Sequence, residues 1–367
     1  MSIPIEKYLE DLEKLINTDS GTMNIAGNDF MAGFFADRLE AAGYETEILR
    51  CGEVNRPVVT AKSPNAGGHF DLYLGGHLDT VYPDGTASQR PFRREDDRVY
   101  GPGTIDMKSG TLLILYLAEY LIQKSPEIKI AIVLNSDEES GSPDSVNIQR
   151  SLAAECRYAM IFEGARKEGR FVSQRKGIAK YRIDIEGVAS HSGTAPRLGA
   201  SAIVELANWI VKIDKMKNYD KGTTINVGLI KGGTALNVVA PSASAMVEVR
   251  YIQQREYERV RRLIYKLIER PFVDGTHGKV TEISHYQPLT ETPETKAMLE
   301  KLEDLHIVCI LAGGTSDANR IASTGIPILD GCGPEGGFPH NTGEFLRISS
   351  VEERFEMILK IIRKLAA

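Results

Sequence analysis

The 367-residue sequence has few cysteines, and their arrangement matches no common thiol site. The four cysteines, Cys51, Cys156, Cys309 and Cys332, are widely separated and include no C-x-x-C pair. This spacing argues against a thiolate zinc site and against a disulfide framework. We therefore expect reduced, mostly buried thiols.

Long apolar runs and an excess of positive charge are also missing. No apolar stretch approaches the roughly 20 residues that cross a bilayer, and the charged amphipathic N-terminus (1–19) lacks the pattern of a secretory signal. The formal net charge of -6 gives no support to nucleic-acid binding, which usually uses a basic face. We therefore expect a cytoplasmic protein that binds neither membranes nor nucleic acids.

The first half of the chain shows alternating helical and strand patterns. With 42% hydrophobic and 26% charged residues, the composition is that of a globular protein, and the length suits two domains better than one core. Helices alternating with strands predict a largely parallel sheet covered on both faces. The predicted helices cover 5–16, 29–42 and 107–122, and the predicted strands cover 70–74, 128–134 and 158–162.

A different pattern occupies the middle of the chain. Four strands (179–186, 224–231, 243–251, 279–284) and two helices (200–214, 256–269) predict an α+β sandwich with helices on one face of an antiparallel sheet. The α/β rhythm then returns, with a strand at 326–329 and a helix at 351–365. We predict an α/β domain formed by 1–175 and 288–367, into which an α+β domain at 176–287 is inserted.

Histidine and acidic residues follow the predicted strands of the α/β domain. His77 follows the first strand, Glu138 and Glu139 the second and Glu163 the third, and His340 lies in the loop after a fourth. The carboxyl ends of parallel strands lie along one edge of an open sheet, where ligands bind. We therefore expect these residues to converge although they are far apart in the sequence.

The residue types at this edge suit zinc. Imidazole nitrogen and carboxylate oxygen are the zinc ligands when cysteine is absent, and a catalytic ion keeps one position for water. Two histidines and three carboxylates suffice for a pair of ions if Asp106 bridges them. Two metals roughly 3.5–4 Å apart can activate one water and hold a scissile carbonyl oxygen. The set predicts a hydrolase with two Zn²⁺ per subunit, with Co²⁺ or Mn²⁺ as possible substitutes.

Two further acids lie beside the predicted ligands. Glu138 is placed to take a proton from water and pass it to a leaving amine. Asp79, two residues after His77, could accept the other ring N–H of that histidine and fix its tautomer. Each signal alone has an ordinary structural interpretation, such as an acid in the first turn of a helix. Their joint position after successive strands favours the catalytic interpretation.

Six motifs occur in the order typical of one enzyme family. They are GGHLDTVYP (75–83), GPGTIDMKSG (101–110), NSDEESGS (135–142), FEGAR (162–166), GVASHSGTAP (187–196) and PHNTGEFL (339–346). In these motifs the chain resembles the M20 family of metallopeptidases, and within it the glutamate carboxypeptidase (carboxypeptidase G) type. The resemblance implies a zinc-peptidase catalytic domain with an inserted lid and dimerisation domain.

The resemblance assigns each metal ligand. It implies that His77 and Glu163 hold one zinc, that Glu139 and His340 hold the other, and that Asp106 bridges the two. It also implies that Glu138 is the general base and that Asp79 is the hydrogen-bond partner of His77. The peptide bond between Asp106 and Met107 is a candidate for the cis form, which is frequent at this position in the family.

The resemblance also gives roles to the inserted domain. It implies that His191, in GVASHSG, reaches the active site of a partner subunit and stabilises the oxyanion, so that the enzyme is a homodimer. Asn237, in GGTALNVVAP, is implied to contact the substrate near the scissile group. Without the resemblance, a strand-end histidine and a turn asparagine with structural hydrogen bonds would be the simpler interpretations.

Two segments are implied to bind the substrate carboxylate. Arg250, in VEVRY, matches an arginine clamp, and a planar guanidinium suits this task because it pairs with both carboxylate oxygens. Gly314 and Thr315 belong to GGTSDANR, a glycine-rich segment whose backbone amides can approach that carboxylate closely. The ordinary structural interpretation of this segment is a helix start capped by Thr315 or Ser316, and the two interpretations are compatible.

Departures from the family pattern leave the substrate open. Met107 and Lys108 stand where relatives often carry small or acidic residues, and only His285 stands near a basic position at the end of the inserted domain. We predict hydrolysis of an amide bond next to a free carboxylate in a small peptide or N-acyl amino acid, with release of a C-terminal glutamate-like residue. Alternatives are an acyl-amino-acid deacylase (acetylornithine or succinyl-diaminopimelate type), a dipeptidase, or a catalytically silent metal-binding regulatory protein.

Overall fold

The structure, a computed structural model, describes residues 3–367. The α-helices are α1 (Ile5–Ile16), α2 (Ile25–Ala42), α3 (Thr86–Gln89), α4 (Ser109–Lys124), α5 (Val146–Ala153), α6 (Ala202–Asp214), α7 (Gln254–Lys266), α8 (Pro293–Lys301), α9 (Asp317–Ile321) and α10 (Ser349–Ala366). The strands are β1 (Glu45–Cys51), β2 (Arg56–Lys62), β3 (Phe70–His77), β4 (Arg93–Glu95), β5 (Arg98–Tyr100), β6 (Ile130–Asn135), β7 (Cys156–Ile161), β8 (Phe171–Arg175), β9 (Gly177–Glu186), β10 (Thr224–Gly232), β11 (Ser242–Tyr251), β12 (His277–Tyr286), β13 (Cys309–Ala312), β14 (Ile328–Leu329), β15 (Gly336–Gly337) and β16 (Phe345–Arg347).

The chain forms two compact units. The first comprises the residues up to Gln174 together with Glu291–Ala312 and Ser316–Ala367, and the second comprises Arg175–Thr290 and Gly313–Thr315. The predicted domain boundaries, at 175/176 and 287/288, stay a prediction.

The cysteines and the helices bear on the first expectations from the sequence. All four cysteines are free thiols, and Cys156 and Cys332 are buried. Across residues 3–367, no helix has both the length and the apolar character of a membrane span. The cytoplasmic location stays a prediction.

A six-stranded mixed sheet forms the centre of the first unit, in the order β1-β2-β6-β3-β7-β14. The four strands from β6 to β14 are parallel, whereas β1 and β2 are antiparallel to their neighbours. Strand β3 extends three residues beyond its predicted end, so that His77 pairs with Asn135. The predicted α/β class is confirmed. The sequence analysis missed β1 because its charged residues are half-buried or exposed and give no apolar run.

Helices α1, α2, α4 and α10 complete the core of the first unit. Residues 109–118 of α4 are all buried, as expected for a helix that is apolar on every face. This helix begins at Ser109 and not at Met107 as predicted, because Thr104–Lys108 form a separate turn with non-helical dihedral angles at Asp106 and Met107. The expected cis peptide bond between Asp106 and Met107 is confirmed.

The second unit is a four-stranded antiparallel sheet with two helices. The strand order is β10-β11-β9-β12, and α6 and α7 pack against the sheet. Alternate residues of β9, among them Tyr181 and Ile183, are buried with Trp209 of α6, as the period of two requires. The indole Nε1 of Trp209 donates to Glu205 Oε1 at 2.6 Å. The unit has the predicted α+β architecture.

Two helical glycines allow a matched test of packing in the first unit. A Cβ at Gly110 would lie 1.9 Å from the carbonyl oxygen of Phe162, whereas a Cβ at Gly33 meets no heavy atom within 4 Å. Gly110→Ala should therefore lower the free energy of unfolding by about 1–3 kcal/mol through overpacking. Gly33→Ala should raise it by about 0.5–1 kcal/mol, because alanine loses less backbone entropy in a helix. Urea unfolding followed by circular dichroism measures both changes, and equal effects would contradict the close contact of α4 with Phe162.

Candidate metal centre

The predicted ligands come together at the carboxyl edge of the parallel strands. His77 is the last residue of β3, Glu139 lies four residues after β6, and Glu163 lies two residues after β7. Asp106 comes from the turn before α4, and His340 from the loop between β15 and β16. His340 has a φ of 60°, a left-handed conformation that is uncommon outside glycine and that recurs at functional sites.

The five side chains form two groups that share one carboxylate. In the first group, Nε2 of His77 lies 3.3 Å from Asp106 Oδ1 and 3.8 Å from Glu163 Oε1. In the second, Nε2 of His340 lies 3.0 Å from Asp106 Oδ2 and 3.4 Å from Glu139 Oε2. Within each group, the candidate ligand atoms lie within 4.8 Å of one another. The two oxygens of Asp106 therefore face different histidines, as a bridging ligand requires.

The chemistry of these groups fits divalent metal ions. Among residues 3–367, Nε2 of His77 and Oε1 of Glu139 are buried and have no hydrogen-bond partner, a state that is costly for polar atoms. Imidazole nitrogens and carboxylate oxygens are also the atoms that bind zinc. The residues thus fit one metal ion in each group, with Asp106 shared.

The carboxylates favour protonation of both histidines. Hydrogen bonds with Asp106 and Glu139 raise the pKa of His340 to about 10. Burial opposes protonation of His77, but its contacts with Asp106 and Asp79 outweigh burial and raise its pKa well above the usual range. A metal ion has to displace these protons, because a ligating imidazole nitrogen is deprotonated.

Asp79 connects a histidine to the turn that carries two glutamates. Its carboxylate accepts hydrogen bonds from the backbone N–H of Glu138 at 3.1 Å, the backbone N–H of Glu139 at 3.2 Å and the hydroxyl of Thr22 at 2.7 Å. Nδ1 of His77 lies 2.9 Å from the carbonyl oxygen of Asp79 and 3.4 Å from its Oδ1. The backbone carbonyl is therefore a nearer partner of this histidine than the predicted carboxylate.

Glu138 lies beside the ligands in a partly buried position. Burial raises the pKa of its carboxyl group well above the usual range, and although His77 opposes the shift, the neighbouring charges of Glu163 and Asp317 add to it. A carboxyl group whose pKa is moved towards neutral pH can accept a proton and later donate it. Its role as general base stays a prediction.

A buried acid that the sequence analysis missed supports this turn. The carboxylate of Asp317 accepts hydrogen bonds from Asn135 Nδ2 at 2.5 Å, Ser142 Oγ at 2.6 Å and Gln149 Nε2 at 3.1 Å. Asn135 and Ser142 stand at the two ends of the NSDEESGS motif. Asp317 therefore fixes both ends of the segment that carries Glu138. The polar residues at the ends of that motif were the available signal.

Glu344 is a second missed acid. It lies in the PHNTGEFL motif together with His340 and is buried. Burial raises the pKa of its carboxyl group, and hydrogen bonds from Tyr82 and from the backbone of Ile105 and Asp106 oppose the shift. Its position in the motif was the available signal, but no sequence pattern indicates that it accepts hydrogen bonds from backbone N–H groups.

The remaining predicted site residues belong to the second unit. Nδ1 of His191 accepts hydrogen bonds from the backbone N–H groups of Gly193 and Thr194, both at 3.1 Å. The ring proton of a neutral His191 is therefore on Nε2, in an exposed side chain. Ser192 donates its N–H to the carbonyl oxygen of Asn237 at 3.0 Å. The predicted residues His191 and Asn237 therefore lie in neighbouring segments.

The first three residues of the glycine-rich segment, Gly313–Thr315, are held by two arginines of this unit. Arg250 donates from Nη1 to the carbonyl oxygen of Gly313 at 2.8 Å, and Arg175 donates from Nη1 to that of Gly314 at 3.0 Å. Helix α9 begins after this segment and is capped by Ser316, in a capping box with Asn319. The predicted helix start capped by Thr315 or Ser316 is confirmed, with Ser316 as the cap.

His285 has an aromatic environment. Its ring stacks on Tyr257 with centroids 3.8 Å apart, and Nε2 lies 2.6 Å from the hydroxyl of Tyr251. Burial lowers the pKa of this histidine. A neutral, stacked imidazole does not replace the basic residue expected near this position.

Known proteins share both the sequence pattern and the fold. The model of peptidase family M20/M25/M40 matches residues 73–364. Carboxypeptidase G2 of Pseudomonas sp. (strain RS-16) is 28% identical over 374 residues, which cover 98% of this chain and 89% of that protein.

Solved structures superpose on all or nearly all of this chain. Aminopeptidase PepT from Bacillus cereus ATCC 10987 superposes with a TM-score of 0.81 at 23% identity, covering 100% of both chains. An M20 family metallo-carboxypeptidase from Sulfolobus solfataricus superposes with a TM-score of 0.75 at 17% identity, covering 98% of this chain and 99% of that one. These two structures share the fold. Because the family match spans most of the sequence, the chain belongs to peptidase family M20/M25/M40, a family of metal-dependent peptide hydrolases.

Proposed function

We propose that the protein is a dizinc carboxypeptidase that releases a C-terminal glutamate-like residue from a small peptide or N-acyl amino acid. The observation that carries this proposal is the pair of ligand groups that share Asp106. The similarity to carboxypeptidase G2 supports the carboxypeptidase activity. Co²⁺ or Mn²⁺ would suit the same nitrogen and oxygen ligands.

The proposed mechanism uses Glu138, Asp79, His191 and Asn237 together with the candidate metal ligands. Bound zinc would lower the pKa of a water molecule and polarise the scissile carbonyl. Glu138 is the residue placed to accept a proton from water as the water oxygen attacks the scissile carbonyl carbon, and to deliver that proton to the nitrogen as the carbon–nitrogen bond breaks. Asp79 holds the turn of Glu138 through its hydrogen bonds to the backbone. Nε2–H of His191, contributed by a second copy of the chain, donates to the developing oxyanion, and Asn237 contacts the substrate nearby.

Basic residues of the second unit support an acidic substrate. Arg250 and Arg175 bind successive carbonyl groups of the glycine-rich segment. Burial and the nearby charge of Arg250 lower the pKa of Lys176, so this amine belongs to the same basic cluster. Arg250 also pairs with Glu248 at 2.6 Å. Arg175 is buried, so Arg250 and Lys176 are the partly exposed cations of this cluster. A residue with two carboxylates matches this pair of cations better than a neutral residue does. Arg250 provides the planar fork for the main-chain carboxylate, with the amides of Gly314 and Thr315 beside it.

Turnover of a matched substrate panel tests the proposed specificity. The zinc-loaded protein should hydrolyse N-acyl-glutamates and glutamyl-terminated dipeptides at least tenfold more efficiently than N-acetylornithine, N-succinyl-diaminopimelate or neutral dipeptides. A chelator should abolish the activity, and zinc should restore it. Arg250→Met should reduce kcat/KM for the acidic substrates by about 10²-fold or more, because a charge-assisted carboxylate pair is lost.

Arg262→Met is the control, since Arg262 is an exposed arginine of α7 in the same unit. It should leave kcat/KM unchanged. Preference for the ornithine or diaminopimelate compounds would assign the protein to the deacylases, and preference for neutral dipeptides to the dipeptidases. Metal binding without turnover of any compound would favour the regulatory alternative.

Glu138→Gln tests the general base. The amide keeps the shape of the side chain but cannot take a proton, so kcat should fall by about 10²–10⁴-fold. The metal content, measured by mass spectrometry after dialysis, should equal that of the wild type. Glu53→Gln, at an exposed loop position, should change neither quantity. Near-normal turnover of the Glu138 variant would exclude this role.

Exposed apolar residues of the second unit support the proposed homodimer. Strand β10 lies at the edge of its sheet, and Leu229 and Ile230 on it are each 65% exposed. Val204 and Val211 of α6 are also more than half exposed. Apolar side chains next to an unpaired strand edge favour association with another chain.

Ile230→Lys should therefore shift the protein from dimer to monomer. Light scattering after size-exclusion chromatography measures the mass, and turnover should fall together with the dimer fraction if His191 acts across the interface. Val54→Lys, at an exposed apolar position in the first unit, is the control and should remain dimeric. A monomeric wild type, or a monomeric variant with full activity, would contradict the proposal.

A further inference from the structure

Glu344 has a buried carboxylate that accepts four hydrogen bonds. Glu344 is only 1% exposed. Oε1 accepts the backbone N–H groups of Ile105 at 2.8 Å and Asp106 at 3.1 Å. Oε2 accepts the backbone N–H of Gly103 at 3.1 Å and the hydroxyl of Tyr82 at 2.7 Å. Three of the four donors are therefore in the loop that presents Asp106.

These bonds join three segments that carry predicted metal ligands. Tyr82 lies five residues after His77, and Glu344 lies four residues after His340. The hydroxyl of Tyr82 also lies 3.1 Å from the carbonyl oxygen of Asn341, the residue that follows His340. The segments of His77, Asp106 and His340 thus meet at a single carboxylate.

A buried charge at this position requires compensation, and the surroundings supply it. Hydrogen bonds to an ionised acceptor are roughly twice as strong as those between neutral groups. The three backbone N–H groups and the Tyr82 hydroxyl that donate to Glu344 provide this compensation.

The position of Asp106 leaves little freedom for its backbone. Its Oδ1 and Oδ2 lie 3.3 and 3.0 Å from two different histidine nitrogens. A small displacement of the backbone would move one oxygen away from its histidine. Glu344 accepts the N–H of Asp106 itself and that of the preceding residue, Ile105, where such a displacement would begin.

We propose that Glu344 is a positioning residue that holds the backbone of Asp106 so that its carboxylate can serve both metal ions. Glu344 acts through Asp106 and does not itself bind metal. The inference rests on the proposed metal centre. Partners in the second shell of a metal site commonly change metal affinity by 10–100-fold when they are replaced.

Zinc affinity of the chelator-stripped full-length protein tests this role. Competition with a chromogenic zinc chelator should give a 10–100-fold weaker affinity for Glu344→Gln, because the amide replaces one acceptor oxygen by a donor that faces N–H or O–H groups. Tyr82→Phe removes one of the four hydrogen bonds and keeps the charge, so it should weaken zinc binding by a smaller factor. Circular dichroism checks that each variant is folded.

Asp11→Asn is the matched control. Asp11 is another acid of the first unit that is 1% exposed, and it bonds to Tyr116 and Arg38. This variant should unfold at lower urea concentration but bind zinc as tightly as the wild type.

The outcomes separate the two proposals. Wild-type zinc affinity in a folded Glu344→Gln protein would overturn the positioning role and leave the metal centre intact. If that variant does not fold, wild-type affinity in Tyr82→Phe would overturn it instead. A wild type that binds no zinc would reject the metal centre itself and the positioning role with it.

Discussion

The carboxylate of Asp106 faces two histidines at the same time, and several segments of the first unit contribute to this arrangement. Its oxygens lie about 3 Å from nitrogens that come from strand β3 and from the loop after β15. Parallel strands bring their carboxyl ends to one edge and so supply His77 and the two glutamates of the candidate ligand groups. Asp106 and His340 come from loops, and loops need additional contacts to hold a geometry this closely defined.

Buried acids provide those contacts. As a consequence, negative charge accumulates in this part of the first unit. Asp79 and Asp317 hold the turn with Glu138, and Glu344 holds the loop with Asp106. Each of these three acids accepts several hydrogen bonds, which compensates for its burial. The acids that face the centre are not all compensated in this way, and a divalent cation is the partner that their arrangement suits. The supporting acids and the candidate ligands therefore belong to one network of interacting charges.

Much of the fold could be predicted from the sequence, and so could the convergence of the candidate ligands into two groups. Buried parallel strands give apolar runs that end in polar residues, and His77 and Glu163 were found by this pattern. Strand β1 was missed because it is half-exposed and charged. The turn before α4 was merged with the helix because Met107 continues the apolar pattern of that helix. Glu344 and Asp317 were missed because their partners are distant backbone or amide groups, and hydrogen bonds of that kind leave no periodic trace in a sequence.

The loop from Gly103 to Asp106 has a further property that follows from its bonding. Loop amides usually exchange their hydrogens with solvent quickly, since they open by small local fluctuations. Here the amides of Gly103, Ile105 and Asp106 donate to a carboxylate that is itself buried. These hydrogens can exchange only when the loop separates from Glu344. That separation would leave the buried carboxylate without three of its hydrogen-bond donors. This irregular segment should therefore exchange on the timescale of the core helices, as slowly as the neighbouring α4.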